Sequence, residues 1–191
     1  MSGKPPRIII TGPTGCGKST QAKFIRDEMN LVLITVPNLL HHAREEGPRS
    51  LIVGSYLDNG QLPPETLIVQ LISERIRLHD CVQNGWILDG FPITKVQAEL
   101  LRDIGFECDI LITLEPPETI GIERTPSRLL GHNMIRDRLK IRSESEDEGD
   151  ILQDFKANLP TILSCFPNHL TIQVNGDSKY VWNELYPKLK K

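Results

Sequence analysis

The chain has 191 residues and a formal net charge of -3, a length that suits one domain with a sizeable core. Its 25 acidic residues outnumber its 22 basic ones, which argues against nucleic-acid binding through a basic surface. No apolar run is long enough to cross a bilayer, and the first six residues lack the apolar region of a secretory signal. We therefore expect a monomer with small-molecule partners that binds neither nucleic acid nor membrane.

The four cysteines lie far apart in the sequence, and their spacing matches neither a CxxC pair nor a zinc knuckle. Widely spaced cysteines of this kind are typical of free thiols in a reducing compartment. We expect a cytoplasmic protein whose cysteines are not paired: Cys16, Cys81, Cys108 and Cys165.

The first predicted strand, Arg7–Thr11, leads directly into a glycine-rich loop that fits the phosphate-binding pattern GxxxxGK[ST]. Glycines let successive backbone N–H groups turn inward around phosphates at a helix N-terminus, where the helix dipole also favours anions. We expect Lys18 to contact the β and γ phosphates and the Ser19 hydroxyl to contact Mg²⁺. The alternative is a loop that only connects a strand to a helix. The residues predicted to bind the nucleoside triphosphate are Gly12, Thr14, Gly15, Cys16, Gly17, Lys18, Ser19 and Thr20.

Along the rest of the chain, apolar β-prone runs alternate with segments of helical period, which predicts parallel strands joined by helices. After the first strand, further strands are predicted at Leu31–Thr35, Trp86–Leu88, Asp109–Leu114 and Leu170–Val174. Helices are predicted at Ser19–Met29, Glu65–Val82, Thr94–Asp103, His132–Arg142, Asp150–Leu163 and Ser178–Leu189. The acidic run at 143–150 is predicted to be a solvated helix end or turn.

A second motif follows the third predicted strand, where an apolar run ends in Asp89 and Gly90. A carboxylate at the carboxyl end of a strand next to a phosphate loop can orient Mg²⁺ and its waters opposite Ser19. Asp-Gly alone is a common turn, which is the alternative. The presence of the upstream loop favours Asp89 as a metal-orienting residue.

Several blocks together resemble the adenylate kinases, a family of nucleoside monophosphate kinases, over nearly the whole chain. The loop at 12–21 is similar to the family's GxPGxGKGT followed by Gln, and residues 60–67 are similar to GxLVPDxLV. Residues 89–99 resemble the DGFPRTxxQAE block, residues 123–128 the ERxxxR at the edge of the lid, and residues 136–139 the arginine-bearing helix after it. Residues 175–177 lie where the family has a loop beside the adenine of the donor nucleotide.

The resemblance implies a phosphotransferase that moves the γ-phosphoryl of Mg-ATP to AMP or a related monophosphate. It also implies a three-layer α/β/α fold of the P-loop NTPase type with a five-stranded parallel sheet. The implied single domain has a core at 1–36, 65–123 and 132–191, an acceptor lobe at 37–64 and a short lid at 124–131. The residues implied as catalytic are Lys18, Arg124, Arg128 and Arg138. Those implied to bind the acceptor are Gln97, His41, Leu62 and Gly90, while Gly176 is implied to lie beside the donor adenine.

The chain departs from the family pattern on the acceptor side, where His41 and Ile93 stand at positions that carry arginine. Charge-assisted hydrogen bonds of this kind contribute about 1.5 to 3 kcal/mol each, so their loss weakens acceptor binding or transfer. One alternative is therefore an ATP-binding regulatory or weakly active module, and another is a kinase for a different small acceptor. His41 is alternatively a solvent-facing helix residue, and Gln97 an exposed helical glutamine. Candidate substitutes for the missing charges are Arg44, Arg49, Lys95 and a protonated His41.

Overall fold

A computed structural model describes residues 3–13, 15–116 and 148–190. In this part of the chain five strands form one parallel sheet in the order β2-β3-β1-β4-β5. The predicted five-stranded parallel sheet is thus confirmed, with strand ends that differ from the predicted ones by at most one residue. The strands are β1 (Arg7–Thr11), β2 (Val32–Thr35), β3 (Trp86–Asp89), β4 (Ile110–Glu115) and β5 (His169–Gln173).

Eight helices connect and cover these strands within the described residues. In this part of the chain no helix is both long and apolar enough to cross a membrane. The helices are α1 (Lys18–Met29), α2 (Val36–Glu45), α3 (Ser50–Asp58), α4 (Glu65–Arg75), α5 (His79–Asn84), α6 (Lys95–Asp103), α7 (Glu148–Cys165) and α8 (Ser178–Leu189).

Alternation along the strands gives the sheet two buried faces and the molecule three layers. Ile8 and Ile10 of β1 face one side, where they pack in one cluster with residues of α1 and α8. Ile9 faces the other side, where a larger cluster includes residues of α2, α3, α4, α6 and α7. The predicted three-layer α/β/α class is therefore confirmed.

Two features of the region between β2 and β3 differ from the sequence prediction. Residues 37–64, where a helix at His41 was given only as an alternative, contain most of α2 and all of α3. The helix predicted at Glu65–Val82 is wrong in its length: α4 ends at Arg75 and the separate helix α5 begins at His79. The backbone at Leu78 is extended, and the Arg75 guanidinium donates to Asp80 in the first turn of α5. This turn lets the chain return to the sheet at β3.

The predicted helix at His132–Arg142 lies outside the described residues. Further on, α7 begins at Glu148, two residues before the predicted start, so the end of the acidic run belongs to a helix. The acidic run was predicted to be a helix end or turn, and its last residues agree with that prediction.

Gly85 is required by the approach of two backbone segments at the start of β3. Its φ is +80°, and a Cβ there would lie 2.2 Å from the Pro6 carbonyl oxygen. That oxygen also accepts the Trp86 N–H at 2.9 Å, so it cannot move without breaking a hydrogen bond. We expect Gly85→Ala to lower the free energy of unfolding by about 3 kcal/mol, from backbone strain plus overpacking, measured by urea denaturation.

A matched control separates strain from crowding at this turn. Gly105, in the turn after α6, also has positive φ, +68°, but a Cβ there meets no atom within 4 Å. Gly105→Ala should therefore lower the free energy of unfolding by only about 1 kcal/mol, the part that comes from backbone strain. Equal losses for the two variants would show that the Pro6 contact does not matter.

Candidate active site

Strand register brings the two sequence motifs to the same edge of the sheet. β1 and β3 are parallel neighbours in which Ile10 lies opposite Asp89. The Gly90 N–H donates to the Ile10 carbonyl at 2.9 Å, which extends the pairing one residue past the strand. The glycine loop after β1 and the Asp-Gly turn after β3 are therefore adjacent at the carboxyl end of the sheet, where α/β proteins bind ligands.

The glycine loop turns sharply against the neighbouring strand β4. Gly12 has a φ of +149°, and a Cβ there would lie 2.5 Å from the Leu114 carbonyl oxygen and 2.9 Å from Cys16 Sγ. At its far end Gly17 caps α1, and its carbonyl accepts the N–H groups of Thr20 at 3.0 Å and Gln21 at 3.1 Å. Thr14 lies outside the described residues. The loop thus ends at the amino end of α1, the geometry that favours phosphate.

Lys18, the first residue of α1, reaches back over the loop. Its Nζ donates to the Pro13 carbonyl at 2.6 Å and lies 3.9 Å from Cys16 Sγ. A side chain at Gly90 would contact Lys18 Cε at 3.8 Å, so the lysine runs beside the turn that follows Asp89. The ammonium group therefore lies at the edge of the sheet where the two motifs meet.

Cys16 is a buried part of the loop. Only 6% of its surface is exposed, and burial raises the pKa of its thiol despite the opposing charge of Lys18. A buried thiol with a raised pKa reacts slowly, because the thiolate is the nucleophile. The structure favours a packing role for this side chain, and its backbone N–H donates to the Pro13 carbonyl at 3.4 Å.

Ser19 and Asp89 supply the oxygen ligands that a magnesium ion prefers. Asp89 is buried to 9% exposure and lies in register with Thr35 of β2 as well as with Ile10. Ser19, half-buried, is in the first turn of α1. A hydroxyl and a carboxylate fit an ion that takes few protein ligands and keeps most of its waters. Within 3–13, 15–116 and 148–190 there is no cluster of three or more His, Cys, Asp or Glu placed to hold a metal.

On the acceptor side, the positions where the resembled family carries arginine hold no guanidinium. His41 is exposed on α2, with Nδ1 3.3 Å from Glu45 Oε1 one turn later. Ile93 is half-buried and packs against the larger core cluster.

The candidate substitutes for these charges make contacts elsewhere. Arg44 forms an ion pair with Asp58 at the end of α3, and Arg49 forms one with Glu74 of α4. The Glu74 carboxylate raises the pKa of Arg49. Lys95 is exposed at the start of α6, where its backbone N–H donates to Asn158 of α7. Arg44 and Arg49 therefore tie the helices of residues 37–64 together and to α4.

Gln97, the predicted reader of the acceptor base, is buried rather than an exposed helical glutamine, with 5% of its surface exposed. Its Oε1 accepts the Ile93 N–H at 2.8 Å and its Nε2 donates to Glu65 Oε1 at 3.1 Å. Leu62 packs against the larger core cluster, and Gly90 adjoins Lys18 as described above. Sequence analysis gave no role to Glu65, because no spacing rule connects two residues that meet only after the chain passes through β3.

Gly176 lies between β5 and α8, on the side of the sheet beyond β4 from the acceptor region. A Cβ there would lie 2.9 Å from Tyr180, so the turn packs closely on the first turn of α8. Gln21 of α1 donates to the Ser178 carbonyl at 2.7 Å. The helix that begins at the glycine loop is thus joined to the first residue of α8, two residues after Gly176.

The predicted catalytic arginines, Arg124, Arg128 and Arg138, lie outside the described residues.

A cleft of about 540 Å³ opens at the opposite, amino edge of the sheet, beside Arg7, Trp86 and Phe106. Parallel α/β folds bind ligands at the carboxyl edge, so we do not assign the cleft to the same site.

Phosphate binding is the property that the carboxyl edge supports, because it gathers loop N–H groups, a helix N-terminus, an ammonium group and a carboxylate. Together with the parallel sheet, this arrangement places the chain in the P-loop NTPase class.

Comparison with known proteins narrows that class. A family model for adenylate kinase matches residues 10–168. The chain is 37% identical to an adenylate kinase of Clostridium botulinum (strain Hall) over 127 residues, which are 64% of this chain and 58% of that protein. It is 38% identical to an adenylate kinase of a Cyanothece species over 149 residues, 75% of this chain and 69% of that protein. The chain belongs to the adenylate kinase family, and it spans about 58% of the clostridial relative's length.

Proposed function

We propose that this chain transfers the γ-phosphoryl group of Mg-ATP to AMP or a related nucleoside monophosphate. The observation that carries the proposal is the adjacency of Lys18 in the glycine loop to the Asp89-Gly90 turn, in a member of the adenylate kinase family. Phosphoryl transfer needs positioning and positive charge more than covalent chemistry, because its transition state is loose. A glycine loop with an ammonium group at its edge supplies both.

On the donor side, the N–H groups of the loop and of the first turn of α1 bind the phosphate oxygens. Lys18 would exchange its contact with the Pro13 carbonyl for the β and γ oxygens, where it stabilises charge that builds up during transfer. Ser19 and Asp89 would hold Mg²⁺, directly or through its waters. When bound, the ion neutralises phosphate charge and orients the β and γ groups. Gly176 would lie beside the adenine, and Arg124, Arg128 and Arg138 would contact the transferred group.

On the acceptor side, Gln97 would hydrogen-bond the base, and Leu62 and Gly90 would line its site. The division into a core, an acceptor lobe at 37–64 and a lid at 124–131 belongs to the same proposal. We also propose that the protein acts as a cytoplasmic monomer. The four free thiols support a reducing compartment.

A panel of AMP, GMP, CMP and UMP with ATP and Mg²⁺ tests the proposal, with diphosphate formation measured by a coupled assay. We expect transfer to at least one of the four. No diphosphate with any acceptor would reject the proposal.

A second candidate is an ATP-binding module with weak or no transfer. It is favoured by the acceptor region, where His41 is exposed, Ile93 is apolar, and Arg44 and Arg49 already pair with acidic residues. Calorimetry separates the two candidates, because this one requires ATP binding without measurable affinity for any monophosphate.

Transfer to a small acceptor other than a monophosphate is the third possibility, and a wider panel of alcohols and phosphates covers it.

Restoring guanidinium groups on the acceptor side should strengthen acceptor binding. We expect His41→Arg combined with Ile93→Arg to lower the KM for AMP by about 100-fold or more, because each charge-assisted hydrogen bond contributes about 1.5 to 3 kcal/mol. The KM for ATP should not change. Steady-state kinetics with each substrate varied in turn measures both values.

His42→Arg is the matched control for this gain. It adds one guanidinium group, as His41→Arg alone does, at the next exposed position of α2, which points about 100° away around the helix. If His42→Arg lowers the KM for AMP as much as His41→Arg alone does, the effect is general electrostatic attraction and the position of the arginine is irrelevant.

A further inference from the structure

Glu65, the first residue of α4, contacts the buried amide of Gln97 on α6. Gln97 Nε2 donates to Glu65 Oε1 at 3.1 Å, and Gln97 Oε1 accepts the Ile93 N–H at 2.8 Å. With only 5% of Gln97 exposed, water has little access to replace either bond. Both ends of the amide are therefore fixed by protein.

The two contacts select the same orientation of the amide. A carboxylate oxygen only accepts hydrogen bonds, and a backbone N–H only donates them. If the amide turned by 180°, its oxygen would face the Glu65 carboxylate and its NH₂ group would face the Ile93 N–H. Both arrangements are repulsive, and a buried polar group without a partner is costly, so the turned state is disfavoured at both ends.

Thr94 joins Glu65 to the backbone of α6. Its Oγ1 donates to Glu65 Oε1 at 3.3 Å and accepts the Gln97 N–H at 3.2 Å as the helix cap. One carboxylate oxygen thus contacts both the side chain of Gln97 and the residue that caps the helix carrying it. Glu65 is the first residue of α4, directly after Pro63 and Pro64, and it is half-buried.

A fixed amide presents a fixed order of donor and acceptor to a ligand. Gln97 keeps one further N–H on Nε2 and one further lone pair on Oε1. AMP offers a 6-amino donor beside the N1 acceptor, whereas inosine monophosphate offers a 6-oxo acceptor beside an N1–H donor. An amide held in one orientation distinguishes the two patterns, and an amide free to turn accommodates both.

We propose that Glu65 is a positioning residue that fixes the orientation of the Gln97 amide and thereby sets the choice of acceptor base. The role rests on the proposed function, because it requires a nucleoside monophosphate beside Gln97.

Kinetics with AMP and inosine monophosphate test the role. We expect Glu65→Ala to reduce the ratio of kcat/KM values for the preferred over the other nucleotide by about tenfold, with the KM for ATP unchanged. Glu65→Gln keeps an acceptor oxygen but no charge, so its ratio should lie between those of the parent protein and Glu65→Ala. Gln70→Ala, an exposed change on the same helix, should leave the ratio unchanged. If Glu65→Ala does not fold, Glu65→Gln should still show a reduced ratio.

NMR of the protein without nucleotide gives a second readout that does not depend on activity. The side-chain NH₂ signals of Gln97, identified by their disappearance in Gln97→Leu, should exchange slowly in the parent protein and faster in Glu65→Ala. Fast exchange in the parent protein would overturn the role of Glu65, as would transfer with an unchanged nucleotide ratio in Glu65→Ala. Absence of transfer with every monophosphate would instead overturn the proposed function.

Discussion

Lys18→Ala is expected to reduce phosphoryl transfer by about 1,000-fold, because the ammonium group stabilises charge that develops on the β and γ oxygens. The contacts of Lys18 Nζ that the structure describes are with the loop itself, at Pro13 and Cys16, so the core should not depend on it. The measurement is kcat/KM in the coupled assay, beside thermal unfolding of the same sample.

Two companion variants make this result specific. Lys23→Ala removes an exposed lysine from the same helix and should retain full activity. Lys18→Arg keeps the charge but changes its shape, which shows whether a compact ammonium group is needed. A Lys18→Ala protein that retains more than about a hundredth of the parent rate would contradict the role assigned to this lysine, since one lost transition-state contact should cost at least about 100-fold.

Gly12→Ala is expected to weaken ATP binding by at least about 100-fold, because it removes the space in which the loop turns against β4. The new Cβ would lie 2.5 Å from the Leu114 carbonyl oxygen, a backbone atom of a central strand, so the loop must move. Displacing two N–H groups from the phosphates forfeits about 1.5 to 3 kcal/mol each. Isothermal titration with ATP and Mg²⁺ measures the loss directly.

Gly47→Ala controls for strain without crowding. Gly47 has a φ of +103°, and a Cβ there meets no atom within 4 Å. This variant should bind ATP as the parent protein does, even if its unfolding temperature falls. Normal ATP affinity in Gly12→Ala would mean that the loop tolerates a shift at its first residue, and the phosphate cradle would then have to begin later in the loop.

The acceptor side decides between a kinase and an ATP-binding module. The structure favours the ATP-binding module to this extent: Arg44 and Arg49 are held in ion pairs with Asp58 and Glu74. Binding a phosphate with either arginine would require breaking one of these pairs. Because exposed ion pairs contribute only about 0 to 1 kcal/mol, such an exchange is energetically feasible, and acceptor calorimetry on Glu74→Gln would reveal it as a gain in affinity.

The central strands and the glycine loop were predictable because their signals are local. An apolar run such as Ile8 to Ile10 carries its own period, and the spacing of Gly12, Gly17 and Lys18 carries the geometry of a phosphate loop. The bounds of the helices in residues 37–64 and the break between α4 and α5 were not predicted. The break depends on the pairing of Arg75 with Asp80, a contact between side chains that a periodic pattern does not record.

For the site, the sequence by itself predicted the ligand class, through the loop around Lys18 and the aspartate at position 89. Only the tertiary structure decided that these motifs meet, because parallel pairing of β1 with β3 sets Ile10 opposite Asp89. It likewise decided that Gln97 is buried and oriented by Glu65, 32 positions earlier in the chain. The physical reason is range: backbone conformation follows neighbouring residues, whereas the direction of a buried hydrogen bond depends on which strands and helices pack together.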